Sequence, residues 1–148
     1  MKILVATDGS ENAKRAVQVA TAIAKQFGSE LIVLNVIATV VPPVYSAKGI
    51  SIAAADNYSN YFDEAERTAE KVVNEAVDRA KNENVNARGI HLRTMSSVPE
   101  SILENASKEN VNLIVVGTRG LGDFEKLLLG SVSSAIIAHA HCSVLVVR

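Results

Sequence analysis

The chain has 148 residues, 48% of them hydrophobic and 21% charged, which fits one globular domain spanning 1–148 with a substantial core. Its 15 Lys and Arg residues against 16 Asp and Glu residues give a formal net charge of −1, which argues against nucleic acid as a partner, since phosphate-backbone binding requires a basic surplus. The single cysteine, Cys142, excludes an intramolecular disulfide, and no segment approaches the ~20 apolar residues of a transmembrane helix, so we expect a cytoplasmic protein without a membrane partner.

The chain opens with a predicted strand, helix and second strand. Residues 2–7 and 31–37 are short apolar runs, as expected for parallel strands that are buried on both faces. Between them, Ser10 is a favoured N-cap residue, apolar residues recur at helical spacing, and Gly28 supplies a C-terminal stop.

Residues 38–57 interrupt this rhythm. They include Pro and Gly residues and are predicted to form a long loop, of a kind that is usually functional or disordered. A second, long helix follows, with an apolar stripe from Phe62 to Ala80. Residues 90–95 alternate apolar and polar side chains, which predicts a third, partly exposed strand.

The last third of the chain continues the alternation. Ser97 and Glu100 mark the start of a third helix, and residues 113–116 form a fourth strand. A fourth helix over residues 131–141 and a last strand over residues 144–147 follow. Five strands that alternate with four helices predict right-handed crossovers, and therefore a single doubly wound, open parallel sheet of the α/β class.

Glycine and serine residues cluster at the edge where open α/β sheets bind ligands, the carboxyl ends of the strands. Gly117 and Gly120 follow the fourth strand, and Gly130 and Ser131 open the fourth helix. Glycine lets the backbone approach an anion closely, and the first turn of a helix offers unpaired N–H donors. We therefore predict that phosphate groups are held between these two segments.

The spacing excludes two other nucleotide-binding motifs. No Gly is followed after four residues by Gly-Lys-Ser/Thr, as a P-loop requires. The dinucleotide fingerprint belongs after the first strand, where this chain has only Gly9. Taken alone, Gly117-x-x-Gly120 is also compatible with a plain strand-exit turn.

The combined pattern resembles the ATP-binding type of universal stress protein, whose signature is Gly-x2-Gly-x9-Gly-Ser/Thr. Gly117, Gly120, Gly130 and Ser131 match it in full, and the similarity continues through ILVATDGSE, LIVLNVI, LIVVGTRGLG, LLLGSVS and VLVV. The resemblance implies a five-stranded sheet of order 3-2-1-4-5, with ATP bound where strands one and four part. It also implies Mg²⁺ or Mn²⁺ bridging the phosphates and a homodimer linked to the stress response.

Carried over residue by residue, the resemblance assigns a role to each predicted site residue. Asp8 would bond the ribose or adenine, Val36 would line the adenine pocket, and Val116 would close it. The other implied contacts are the backbone at Ala6 and Thr7 beside Asp8, and Gly117, Gly120, Gly130, Ser131, Val132 and Ser133 around the ribose and phosphates. No protein side chain is expected to ligate the metal, and none is assigned as catalytic.

This sequence departs from the family pattern at two points. Asn35 stands where the family has a His before the second-strand Val, and His141-Cys142-Ser143 stands where many relatives carry a Pro before the last strand. The first departure concerns the adenine contact, whereas the second concerns the entry to strand five.

Several side chains near this edge have a second interpretation. Asp8 is alternatively the N-cap of the first helix. Arg119 and Lys126 either reach a phosphate or are solvated turn residues. A His-x-His-Cys cluster either ligates a metal or marks a helix end, where His is favoured by the dipole; its residues are His139, His141 and Cys142.

Three classes of function stay open from the sequence. The first is a nucleotide-binding regulator, the second a slow ATPase or autophosphorylating protein, and the third an interaction module that binds AMP or no nucleotide. No evident catalytic base accompanies the glycines, so turnover should be low. The apolar strand from Val144 to Val147 would be an aggregation hazard at a bare sheet edge, which predicts a homodimer through this strand.

Overall fold

A computed structural model describes residues 1–39, 52–118 and 129–148, without the side chains of residues 52–59. Strands and helices alternate along it: β1 Lys2–Ala6, α1 Glu11–Phe27, β2 Glu30–Ala38, α2 Ile52–Asn82, β3 Ala87–Thr94, α3 Val98–Lys108, β4 Leu113–Gly117, α4 Ser131–His139 and β5 Ser143–Val147. The strands form one sheet of order β3-β2-β1-β4-β5 in which each neighbouring pair is parallel. The predicted fold and strand order are confirmed.

Successive residues of the central strands face opposite helical layers. In β1, Ile3 and Val5 pack into a core with α1 and α2, whereas Leu4 packs with Ile102 of α3 and Ile136 of α4. All five side chains are almost completely buried. Because both faces of these strands are covered, their sequence is a continuous apolar run rather than an alternating one.

Helix α1 begins and ends at the residues that the sequence predicts. The hydroxyl of Ser10 accepts a hydrogen bond from the Ala13 N–H at 3.3 Å and caps the first turn. Gly28 adopts the left-handed conformation, with φ 57°, and its N–H bonds the carbonyls of the last turn. These two caps define the ends of α1, which begins shortly after the carboxyl end of β1.

Helix α2 lies on β3 at a glycine. A methyl group at Gly89 would lie 2.2 Å from Val73 Cγ1, so only glycine permits this approach. Strand β3 starts at Ala87, earlier than the predicted segment 90–95, because its pairing with β2 begins at Ala87 opposite Leu31. Backbone pairing therefore extends the strand beyond the part that has the alternating pattern.

The predicted loop over residues 38–57 is wrong at both ends. Ala38 is the last residue of β2, and α2 begins at Ile52. The segment 52–57 contains three consecutive Ala residues and no Pro or Gly, and Ala has the highest helix propensity, so it extends the helix. The rest of the predicted loop, 40–51, lies outside the described residues.

Helix α4 is also shorter than predicted. It ends at His139, because Ala140 has an extended backbone, with φ −67° and ψ 139°. The predicted end at residue 141 is therefore wrong by two residues, and His141 belongs to the connection into β5.

A network of ion pairs joins three strands and the C-cap residue of α3 at the amino end of the sheet. Arg88 Nε donates to Glu30 Oε1 at 2.7 Å, and its Nη2 donates to Glu109. Lys2 Nζ lies 3.7 Å from Glu109 Oε2. The hydrogen bond from Arg88 holds the pKa of Glu30 below its usual value of 4.5, although desolvation acts in the opposite direction.

We expect acid to weaken this network. Because the pKa of Glu30 is lowered in the folded state, its stabilising contribution is present above the unfolded pKa and is lost as the pH falls through the folded pKa. Arg88→Gln should therefore lower the free energy of unfolding by up to ~1 kcal/mol near neutral pH, and by less at about pH 3. Urea unfolding at both pH values measures this difference, with Lys108→Gln as the control for loss of a positive charge. An equal loss at both pH values would contradict the prediction.

Candidate functional site

The two central strands of the sheet separate at their carboxyl ends. Strand β1 continues into α1 on one face of the sheet, whereas the chain after β4 leads to α4 on the opposite face. A crevice therefore opens between the ends of β1 and β4, at the point where open α/β sheets bind ligands. Asp8 borders this crevice on the β1 side and Thr118 on the β4 side.

Asp8 is exposed and stabilises the turn between β1 and α1. One carboxylate oxygen, Oδ1, accepts a hydrogen bond from the Ser10 N–H at 2.9 Å. The N-cap of α1 is Ser10 itself, so the alternative interpretation of Asp8 as the cap is wrong. Among the described residues, the second oxygen of Asp8 has no hydrogen-bond partner, which leaves it available at the crevice.

A buried amide fixes the end of β1 just before Asp8. Asn35 Nδ2 donates to the carbonyl of Thr7 at 2.7 Å, and the Thr7 N–H donates to the Leu34 carbonyl at 2.9 Å. The side chain of Asn35 is 7% exposed. Sequence reasoning noted Asn35 only as a departure from the family His and missed this hydrogen bond. The available signal was an amide in an otherwise aliphatic strand.

The end of β4 lies directly against the first turn of α1. A methyl group at Gly117 would lie 2.9 Å from the backbone carbon of Asn12 and 3.0 Å from its carbonyl oxygen. Backbone atoms cannot move aside as a flexible side chain can, so this contact requires glycine. Gly117 therefore has a packing role in addition to its predicted phosphate contact.

The start of α4 is tied to the exit of β4 through one carbonyl group. The Gly130 N–H donates to the Thr118 carbonyl at 2.7 Å, and the Ser133 hydroxyl lies 3.2 Å from the same oxygen. Ser133 also lies 3.0 Å from the Gly130 carbonyl and is only 2% exposed, whereas Ser131 is exposed. Ser133 thus holds the turn together, and Ser131 presents its side chain outward.

The first turn of α4 has free backbone donors. Gly130 is the N-cap and provides no side-chain hydrogen bond to this turn. Ser134 is the first residue whose N–H bonds within the helix, to the Gly130 carbonyl at 3.0 Å. The N–H groups of the three preceding residues, Ser131, Val132 and Ser133, have no partner in the described part of the chain and lie at the positive end of the helix dipole.

Four apolar residues of the predicted site lie in one cluster on the α3 and α4 face of the sheet. They come from β1, β2, β4 and α4, and are Ala6, Val36, Val116 and Val132. Val116 is buried, and the others are partly exposed. The structure thus brings together residues that are up to 126 positions apart in the sequence, from Ala6 to Val132.

Three predicted residues near the crevice lie outside the described part of the chain. They are Gly120, Arg119 and Lys126, and their contacts with a ligand stay predictions.

The histidine and cysteine cluster occupies the end of α4 and the entry to β5. His139 is the last residue of α4, as expected for a side chain favoured by the helix dipole. Burial raises the pKa of the Cys142 thiol. Over the described ranges, no group of three or more His, Cys, Asp or Glu side chains is placed to hold a metal ion. In the same ranges, no helix is both long enough and apolar enough to cross a membrane.

Two cavities open on the other face of the sheet, beside α2. The smaller, of about 330 Å³, lies next to Asp8 and is bordered by Asn35 and Ile37 of β2. The larger, of about 420 Å³, lies between α1 and α2. Neither is lined by the apolar cluster described above; the smaller cavity shares Asp8 with the crevice, and the larger is lined by Thr7 and Gly9 on either side of Asp8.

The chain matches the model of the universal stress protein family over residues 1–148. Universal stress protein YxiE from Bacillus subtilis is 32% identical to it over 147 residues, which cover 99% of this chain and 98% of that protein. The solved structure of universal stress protein UspA from Lactobacillus plantarum is 22% identical, with a TM-score of 0.83 and coverage of 100% and 97%. A universal stress protein solved in complex with cAMP is 25% identical, with a TM-score of 0.72 and coverage of 100% and 97%.

We expect the buried amide of Asn35 to stabilise the fold. Asn35→Ala leaves the Thr7 carbonyl without this partner in a buried position, which should lower the free energy of unfolding by about 1–3 kcal/mol. Urea unfolding provides the measurement. Asn74→Ala, on the exposed side of α2, is the matched control and should change the stability by less than ~0.5 kcal/mol. A value for Asn35→Ala as small as the control would contradict the role of this bond.

Proposed function

The chain belongs to the universal stress protein family, and on that premise we propose that it binds an adenine nucleotide, ATP in preference, at the crevice between β1 and β4. The observation that carries the proposal is the link between Gly130 and Thr118, which brings the N–H donors of the first turn of α4 to the exit of β4. The family member solved with cAMP supports adenine nucleotides as the ligand class.

In this proposal the phosphates bind at the start of α4. The N–H groups of Ser131, Val132 and Ser133 donate to the phosphate oxygens, and the exposed Ser131 hydroxyl adds a further donor. Gly117, Gly120 and Gly130 keep Cβ atoms away from the phosphates. No cationic side chain is required, because the helix dipole and the N–H donors favour the anion.

The base and the ribose bind towards β1 and β2. The partly exposed Val36 and Ala6 and the buried Val116 form an apolar surface for the adenine ring. Asp8 has a free carboxylate oxygen that accepts a hydrogen bond from a ribose hydroxyl. A carboxylate repels phosphate, so this end of the crevice suits the sugar rather than the phosphates.

Mg²⁺ or Mn²⁺ would be held by the phosphates of the nucleotide in this proposal. Phosphate oxygens are the hard ligands that these cations prefer, so a cation brought with the nucleotide requires few protein ligands. The cation would neutralise phosphate charge there.

We assign the protein a regulatory role in the stress response, in the cytoplasm, with ATP occupancy as the signal. Fast hydrolysis requires a group that positions water and groups that stabilise the developing charge. The crevice side chains in the described part of the chain are Asp8, Thr118 and Ser131, and in this proposal the one carboxylate, Asp8, faces the sugar rather than the phosphates. The alternatives are a slow ATPase and a module that binds AMP. Release of ADP over hours would indicate the slow ATPase.

We also propose a homodimer through β5. This strand forms one edge of the sheet, and its residues from Val144 to Val147 are only partly buried in the single chain. Ile137 of α4 is 47% exposed and adds to the apolar surface of the chain. Pairing β5 with its copy about a twofold axis would satisfy the edge backbone groups and bury apolar side chains.

We expect Gly130→Val to abolish nucleotide binding while the dimer persists. A β-branched side chain at the N-cap of α4 intrudes where the phosphates bind, and a loss of at least about tenfold in affinity for ATP with Mg²⁺ should follow. Calorimetric titration measures the affinity, and light scattering at micromolar concentration measures the mass. Ser134→Val, just beyond the free donors, is the matched control and should bind as the parent does.

Two outcomes would overturn these proposals separately. If protein purified from cells releases no adenine nucleotide on denaturation and shows no calorimetric binding of ATP, the nucleotide proposal fails. If the parent protein scatters as a monomer, the dimer proposal fails, whatever the result for the nucleotide.

A further inference from the structure

A second candidate ligand site lies between α1 and α2. The cavity there has a volume of about 420 Å³, within the range of small-molecule pockets. One face of each helix lines it. These faces include Val17 and Thr21 of α1 and Val72 and Ala76 of α2. These side chains are small, so they leave space between the helices. We call this space the α1–α2 cavity.

The α1–α2 cavity is bounded at both ends. At one end Val72 packs on Gly9, so closely that a methyl group at Gly9 would lie 3.0 Å from Val72 Cγ2. At the other end Lys25 of α1 forms an ion pair with Glu83, at 3.7 Å, just beyond α2. Val72 and Glu83 are separated by about 16 Å along the helix axis. The cavity therefore fits an elongated molecule rather than a round one.

The floor of the α1–α2 cavity is mainly apolar. Val17 is 6% exposed and Ala76 is 7% exposed, and Val72 adjoins them. The Thr21 hydroxyl donates to the Val17 carbonyl at 2.8 Å, so its proton is already engaged within α1. Thr7 also lines the cavity, at the end of β1. An occupant would contact hydrocarbon along most of its length.

The charges around the rim differ in whether they are already paired. Most of them are in ion pairs: Lys14 with Glu11 at 2.7 Å, Glu75 with Lys71 at 4.0 Å, and Glu83 with Lys25 at 3.7 Å. Arg79 also lines the cavity and has neither an ion pair nor a side-chain hydrogen bond among the described residues. Its guanidinium is thus the rim group that is open to an anion.

We propose that the α1–α2 cavity binds a small organic carboxylate with an elongated apolar body. Arginine presents paired N–H donors that match the two oxygens of a carboxylate, so Arg79 binds the head group. The hydrocarbon body lies over Val17, Val72 and Ala76 and gains from leaving water. The proposal does not rest on the proposed function, and the two sites are distinct although Thr7 lies beside both.

The test uses octanoate as the probe and 1-octanol as its uncharged counterpart, with the full chain. Octanoate should bind in calorimetric titration. Arg79→Gln should weaken octanoate binding about tenfold, because it removes one charge-assisted contact. Arg67→Gln removes the same charge from an exposed position of α2 outside the cavity and should leave binding unchanged. 1-Octanol should bind more weakly than octanoate and should not respond to Arg79→Gln.

A second variant tests the cavity itself. Ala76→Leu extends the side chain into the empty space and should reduce octanoate binding, with thermal unfolding as the check that the protein is folded. If that variant does not fold, Arg79→Gln at the exposed rim still decides. Absence of octanoate binding at millimolar concentration, or binding that survives both Arg79→Gln and Ala76→Leu, would overturn the proposal. Equal losses for Arg79→Gln and Arg67→Gln would overturn it as well.

Discussion

The contact between Gly117 and the first turn of α1 determines the geometry of this molecule's carboxyl edge. A single Cβ at this position would meet the backbone of Asn12 at 2.9 Å, so α1 could not lie where it does. The position of α1 in turn fixes the turn that carries Asp8, because Ser10 both caps the helix and donates to that carboxylate. The crevice thus depends on one missing side chain.

Glycine has the same role at two further contacts between helices and the sheet edge. Gly89 allows Val73 of α2 to lie on β3, and Gly9 allows Val72 to lie on the turn after β1. Aliphatic side chains cover both faces of the sheet, so a helix can approach the backbone more closely at a glycine than elsewhere. The hydrogen-bonded polar groups of the carboxyl edge, Asn35, Asp8 and Thr118, lie beside the ends of β1 and β4.

Much of the fold could be predicted from the sequence, because buried parallel strands and amphipathic helices have different periodicities. The strand order came from the family resemblance, and the structure confirms it. The start of α2 could not be predicted, because two local signals conflict. The Ala-rich segment 52–57 has strong helix propensity, but a stretch with two prolines and a glycine precedes it. The role of Asn35 was missed for a different reason: a hydrogen bond across 28 residues depends on strand register, not on local pattern. The α1–α2 cavity was missed for a similar reason. It depends on the distance between two helices, and the periodicity of apolar residues carries no information about that distance.

Thr7 lies beside both of the ligand sites that we propose. Its carbonyl is held by Asn35 beside Asp8, while its side chain lines the α1–α2 cavity. Thr7 therefore forms a common wall between the proposed nucleotide crevice and the proposed carboxylate site. Thermodynamic linkage makes any influence across such a wall reciprocal: the factor by which one ligand changes the affinity of the other is the same in both directions. Measured in either order, the two titrations would have to give the same coupling free energy.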